Sequence, residues 1–215
     1  MKKTLSNEEV KQINGLIADV EKKTSTQIVL AVIQRSDVYA EIPWKAFALG
    51  ASIAGLFVLI WQLLTYGWDP TITGLVAVVG TLGGGAILAL LTLIWPQFAR
   101  QFLSEERSEV EVHQYAESMF LSREVFGTSN RIGMLILVSL FERKVVIVPD
   151  KGLRERFEPD KVYSIINEMT PFLKRGEIKE AFKAGLEKIS ENLGSIKLEP
   201  GENELPDDII EEKGV

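Results

Sequence analysis

The chain has 215 residues, 24 Lys+Arg against 30 Asp+Glu, one histidine and no cysteine, and a mean hydropathy of +0.11 despite 25% charged residues. Those values coexist only if charge is segregated, and between Ala46 and Ala99 the sole charged residue is Asp69, which excludes a uniform soluble globule. The missing cysteines exclude disulfides, thiolate zinc sites and a cysteine nucleophile, and the lone His113 excludes a multi-histidine metal site.

The first predicted element is a helix opened by a capping box, Ser6 to Glu9, with the apolar stripe Val10, Ile13, Ile17 and Val20. After Thr24-Ser25-Thr26 comes the apolar run Gln27–Ile33, short and β-branched, which reads as a strand covered on both faces. Ser36-Asp37 and Tyr39 follow it.

Two apolar runs come next, about Ala46–Tyr66 and about Thr71–Trp95. Each supplies the roughly 20 residues of helix needed to cross a hydrocarbon core of about 30 Å. Gly67-Trp68-Asp69-Pro70 breaks helix between them, so the pair is expected to form a transmembrane hairpin. Trp44 and Trp95 mark one expected lipid interface, Tyr66 and Trp68 the other. Lys45, Arg100 and Arg107 flank the hairpin while its turn has no Lys or Arg, which predicts a two-span inner-membrane protein with both termini in the cytoplasm. The amphipathic N-terminus does not read as a cleavable signal. Small residues (Gly50, Ala51, Ala54 and Gly55; Gly80 and Gly84 at G-x-x-x-G spacing) allow close helix contact, within the hairpin or through self-association, and Gly83-Gly84-Gly85 could loosen the second span.

Beyond the hairpin, Val112, Tyr115, Ala116, Met119 and Phe120 form one helical face. The apolar runs Gly133–Ser139 and Lys144–Val148 are predicted strands, and the four residues joining them suit only an antiparallel pairing. Two further helices carry Val162, Ile165, Ile166 and Met169, then Ile178, Phe182, Ile189 and Leu193, with Pro171 expected to bend or end the first. Residues 197–215 hold seven acidic side chains against two basic ones and have no apolar face, reading as a solubilising end or as a partner-binding segment centred on Asn203–Asp207. The near-neutral body has no basic stripe, so nucleic acid is not an expected partner.

Neither 1–45 nor 100–196 can bury its apolar surface alone. Together they predict one three-layer α/β/α domain with a mixed sheet, interrupted by the hairpin at 46–99, with strand 2 parallel to strand 1. Polar residues then gather at two ends of the sheet. Asp37, Glu142 and Arg143 share one end, as lipid or partner contacts or as solvated loop residues. Thr24, Arg131 and Asp150 share the other, where a carboxylate and hydroxyl could hold a divalent metal and arginine could neutralise phosphate. Cap and turn chemistry, or an Arg131–Asp150 ion pair, accounts for the same residues. His113, among Glu109, Glu111 and Glu117, reads as an exposed helical histidine.

The motifs Leu5-Ser-x-Glu-Glu, Glu21-Lys-x-Thr24-Ser, Arg35-Ser-Asp-x-Tyr39, Thr128-x-x-Arg131-x-Gly133, Val138-Ser-Leu-x-Glu142-Arg143, Val146-Ile-Val-x-Asp150-x-Gly152 and Asn203-Glu-Leu-Pro-Asp207 resemble the TPM domain. The resemblance is to its bacterial membrane-protein branch, in which two transmembrane helices interrupt the domain. It implies a Rossmann-like fold and two activities found in relatives, a phosphatase label and an accessory-protein role. Gln27 stands where the family commonly has an acidic residue. The expectation is therefore a membrane-anchored, non-enzymatic module without cofactor that binds other membrane proteins; the alternative is a metal-assisted phosphatase using Asp150, Thr24 and Arg131.

Overall fold

The computed structural model describes residues 4–65, 70–154, 157–194, 205 and 209–215. The chain divides into two compact units, Met1–Asp37 with Ser108–Val215, and Val38–Arg107.

In the first unit, α1 (Asn7–Thr24) starts at the expected capping box: the Glu9 amide donates to Ser6 Oγ at 3.3 Å and the Ser6 amide to Glu9 Oε2 at 2.8 Å. Its stripe leads into β1 (Gln27–Arg35). The chain then forms α2 (Glu41–Leu64), α3 (Pro70–Ile94) and the single turn α4 (Pro96–Ala99) before α5 (Glu105–Ser122). After these come β2 (Gly133–Ser139), β3 (Lys144–Pro149), the short α6 (Lys151–Arg154), α7 (Pro159–Arg175), α8 (Ile178–Leu193) and β4 (Ile210–Gly214).

The sheet order is β3-β2-β1-β4. β1 pairs parallel with β2, Gln27 opposite Gly133, and β2 pairs antiparallel with β3, Met134 opposite Pro149, as the loop length requires. Side chains alternate across the sheet. Ile28, Leu30, Val32, Met134, Ile136 and Ile147 pack under α1, α7 and α8, whereas Val29, Ala31, Ile33, Leu135, Leu137 and Val148 pack under α5. Covering both faces explains why β1 and β2 are unbroken apolar runs: every second residue serves a different core. Each fully buried aliphatic side chain contributes roughly 1.5–3 kcal/mol.

Two expectations are corrected. Pro171 does not end α7, which continues to Arg175 before the left-handed Gly176 closes it. The last residues are not all outside the fold: β4 adds to β1 in parallel, Ala31 opposite Ile210 and Arg35 opposite Gly214. Among the described residues the sheet has four strands where three were expected.

In the second unit, α2 and α3 pack as a helical hairpin. The spans Glu41–Leu64 and Thr71–Ile94 have 24 residues and hydropathies of 2.1 and 2.2, long and apolar enough to cross a membrane, and only 6% of each apolar window is buried. Close approach explains the small residues. A Cβ on Gly50 would lie 2.5 Å from the Gly84 carbonyl oxygen, and one on Gly84 would lie 2.5 Å from the Ala54 Cβ. These glycines let the two backbones touch within the hairpin. α3 runs unbroken through Gly83-Gly84-Gly85. Trp44 is 73% exposed, edge-on to Phe47 at 6.2 Å, and Trp95 is 55% exposed, stacked on Phe98 at 6.4 Å. Tyr66 and Trp68 lie outside the described residues.

Candidate functional site

The end of the sheet where β1 and β2 finish is closed by a buried carboxylate. Glu142, in the β2–β3 turn, is 7% exposed. Its Oε1 accepts from the Ser36 amide at 2.9 Å and the Ser36 hydroxyl at 2.8 Å, and its Oε2 accepts from the Ser139 hydroxyl. The Leu140 and Phe141 amides donate to the Ile33 and Gln34 carbonyls beside it. The side chain expected in solvent or at a lipid surface is instead an internal staple between the strand ends. A carboxylate is favoured there because it accepts several donors at once. Asp37 is half-buried, and Arg143 is exposed with a left-handed φ of 55°.

At the opposite end, Arg131 and Asp150 meet. Arg131 Nη2 donates to Asp150 Oδ1 at 2.9 Å, and Nε lies 2.8 Å from Oδ2 as an ion pair outside hydrogen-bond alignment. Asp150 is 4% exposed and also accepts from the Lys151 amide at 2.7 Å, while Arg131 is half-exposed over the Phe126 ring at 5.6 Å. Gly152 allows this corner to close: its amide donates to the Arg131 carbonyl, and a Cβ there would sit 2.6 Å from the Asn130 oxygen. Thr24 turns inward instead. Its hydroxyl donates to the Val20 carbonyl at 2.8 Å and accepts from the Thr26 amide at 3.3 Å, which is helix-end chemistry. Of the three candidate catalytic residues, the structure pairs Arg131 with Asp150 and shows Thr24 bonded within its own turn. Among the described residues no group of three or more carboxylate or histidine ligands could hold a metal.

Gln27 has a structural partner: its Oε1 accepts from the Leu205 amide at 3.1 Å, drawing the last part of the chain toward β1. From there β4 is tied to the helices by side chains. Glu212 accepts from the Tyr115 hydroxyl at 3.1 Å and pairs with Arg123, Glu211 accepts from the Thr4 amide at 3.1 Å, and Arg35 Nε donates to the Val215 carbonyl at 2.9 Å. Burial, then the Glu212 charge and hydrogen bond, push the Tyr115 phenol upward, with Arg123 opposing. Asn203 and Asp207 lie outside the described residues.

A groove of about 550 Å³ runs along the outer edge of β3. Val145 and Ile147 form its floor, Val162 and Ile166 of α7 one wall, and Glu109 and His113 of α5 the other. Arg143, Lys144 and Arg154 add positive charge. His113 is exposed as expected, Nε2 3.3 Å from Glu117 Oε1. Sequence reading singled out His113 and Arg143 of this groove but missed Lys144 and Arg154, because only the folded sheet shows which strand is left at an edge.

Comparison with known proteins agrees with this architecture. The fold is similar to the NMR structure of the BA42 protein from the psychrophilic bacterium Bizionia argentinensis, with a TM-score of 0.58 and 19% identity over 98% of this chain and 97% of that one. No curated protein matches the chain. Residues 101–192, from α5 into α8, match the family model described as the TPM domain.

Proposed function

We propose that this chain is a membrane-anchored TPM-domain protein of the branch with two inserted spans, acting as a non-enzymatic binding module that serves other membrane proteins. The observation that carries the reading is the hairpin: two 24-residue apolar helices whose large side chains point outward, Phe57 66%, Leu64 77% and Ile94 79% exposed among them. Apolar surface of that extent needs a lipid or protein covering. Lys45, Arg100 and Arg107 on the flanks support cytoplasmic termini at the inner membrane. The commitment of Arg131 to Asp150 and of Thr24 to its own helix favours binding over hydrolysis at that end of the sheet.

Photocrosslinking in intact membranes, followed by identification of attached proteins, tests the proposal. Discrete membrane-protein adducts are expected, with residues 197–215 resistant to protease added from outside. Cleavage of the tail from outside would overturn the orientation. Metal-dependent hydrolysis that disappears in Asp150→Ala would replace the reading with a hydrolase.

A further inference from the structure

The open edge of β3 has the geometry of an unfilled strand position. In an antiparallel pair, residues exchange both backbone hydrogen bonds at alternate positions only. The Asp150 amide donates to the Gly133 carbonyl, so with Met134 opposite Pro149 the bonded positions on β3 are Lys144, Val146 and Val148. The N–H and C=O groups of Val145 and Ile147 therefore point away from β2. β3 is the last strand of the sheet, and among the described residues nothing bonds those groups. The next outward group, the Pro149 carbonyl, accepts from Arg154 Nη2 at 3.4 Å, and Pro149 has no N–H. The free register is thus short and bounded.

The space beside it suits an extended backbone. The groove is lined by α7 on one side and by α5 on the other, beside the position a fifth strand would take, about 4.8 Å from β3. Its charge selects the occupant. Arg143, Lys144 and Arg154 line it, and Glu109, 3.9 Å from Lys144 Nζ, is the one carboxylate among its described lining residues, in a chain whose net charge is −6. A second copy pairing β3 antiparallel to β3 would bring Arg143 and Lys144 of one chain toward Arg154 of the other, which like-charge repulsion disfavours. An acidic segment gains from the same charges.

We propose that the β3 edge binds an extended, acidic segment of another protein by strand addition, its backbone bonding Val145 and Ile147 and its carboxylates meeting Arg143, Lys144 and Arg154. The proposal rests on the binding-module reading and names its site and partner chemistry. Backbone bonds supply affinity, and the flanking charges supply selectivity and salt dependence.

The test uses the full chain in nonionic detergent micelles and a phage-displayed library of random twelve-residue peptides. Enriched sequences should alternate apolar residues and carry Asp or Glu. A labelled peptide made from them should bind about tenfold more weakly to Val145→Pro, which removes one outward donor and leaves the β2 ladder intact. Arg143→Glu with Lys144→Glu should weaken it similarly, and so should N-methylation of the peptide amides that face β3, a change that leaves the protein's folding untouched. Binding indifferent to Val145→Pro and to N-methylation, sequences without acidic bias, or no enrichment each overturns the proposal. A self-dimer lost in Val145→Pro overturns the choice of occupant. If in-membrane crosslinking still captures proteins when the peptide experiment fails, the binding-module reading survives and only this site falls.

Discussion

The two outer strands of the sheet are held in different ways. β3 is joined to β2 by a four-residue turn and anchored at both ends by buried carboxylates, Glu142 before it and Asp150 after it, at 7% and 4% exposure. Among the described residues its outer edge has no strand partner. β4 has no hairpin partner; exposed or half-exposed side chains, Glu211, Glu212 and Arg35, tie it down along its length. Anchoring a strand from its ends keeps its edge available, whereas β4 is held by contacts spread along its side chains.

The sharpest break in the comparison is at Glu142. Glu142→Ala strips a buried acceptor from the Ser36 amide and from two hydroxyls, and an unmet buried donor costs its full desolvation. We expect a loss of about 2–4 kcal/mol by urea denaturation followed by far-UV circular dichroism, and about 1 kcal/mol for Glu142→Gln, which keeps one acceptor oxygen. Equal losses in the two variants would show that packing, not acceptance, is what the site needs. The other end of β3 is next. Arg131→Ala leaves Asp150 buried with only the Lys151 amide, but the half-exposed guanidinium means that water can replace part of what is lost. A loss of about 1–2 kcal/mol is expected on the same denaturation curve.

β4 should respond less and more locally. Glu212→Ala removes the partner of both Tyr115 and Arg123 on a side chain 34% exposed, for about 0.5–1 kcal/mol. Hydrogen exchange should show faster exchange in residues 210–214 with β2 and β3 amides unchanged. Equal acceleration throughout the sheet would mean that β4 supports the core and is not an appended strand.

Most of the core was legible in the sequence, because strands buried on two faces announce themselves as apolar runs and the capping box fixed the start of α1. The antiparallel β2–β3 pairing followed from loop length alone. β4 was not legible: Ile210-Glu-Glu-Lys-Gly has one apolar side chain, and its place depends on Tyr115, Arg123 and Thr4, about 90 to 210 residues away. Glu142 misled for a related reason. A carboxylate in a four-residue turn ordinarily faces water, and only the convergence of Ser36 and Ser139 makes a dry place for it. Pro171 stays within α7 because tertiary packing of Ile165 and Met169 outweighs the local break. Arg131 and Asp150 were legible as a pair, and their bond leaves Thr24 to its own helix turn.

The smallest effect isolates the β4 tie by pH. Burial first, and then the neighbouring Glu212 carboxylate, raise the Tyr115 phenol above its ordinary value of 10.0. Above that value the unfolded chain releases this proton while the folded chain still holds it, so folding stability falls as pH rises. The contribution is therefore complete below about pH 10 and is lost as pH climbs through the raised folded value. Tyr115→Phe removes both the hydrogen bond and the titration. The variant should be about 0.5–1 kcal/mol less stable than the parent at pH 8, and that gap should narrow between pH 10 and 11, because only the parent carries the penalty. Taking the difference between the two proteins cancels the other tyrosines and the lysines that titrate in the same window. A gap constant from pH 8 to 11 would mean that the phenol ionises freely in the folded chain, leaving Arg123 as the group that holds Glu212 and β4 in place.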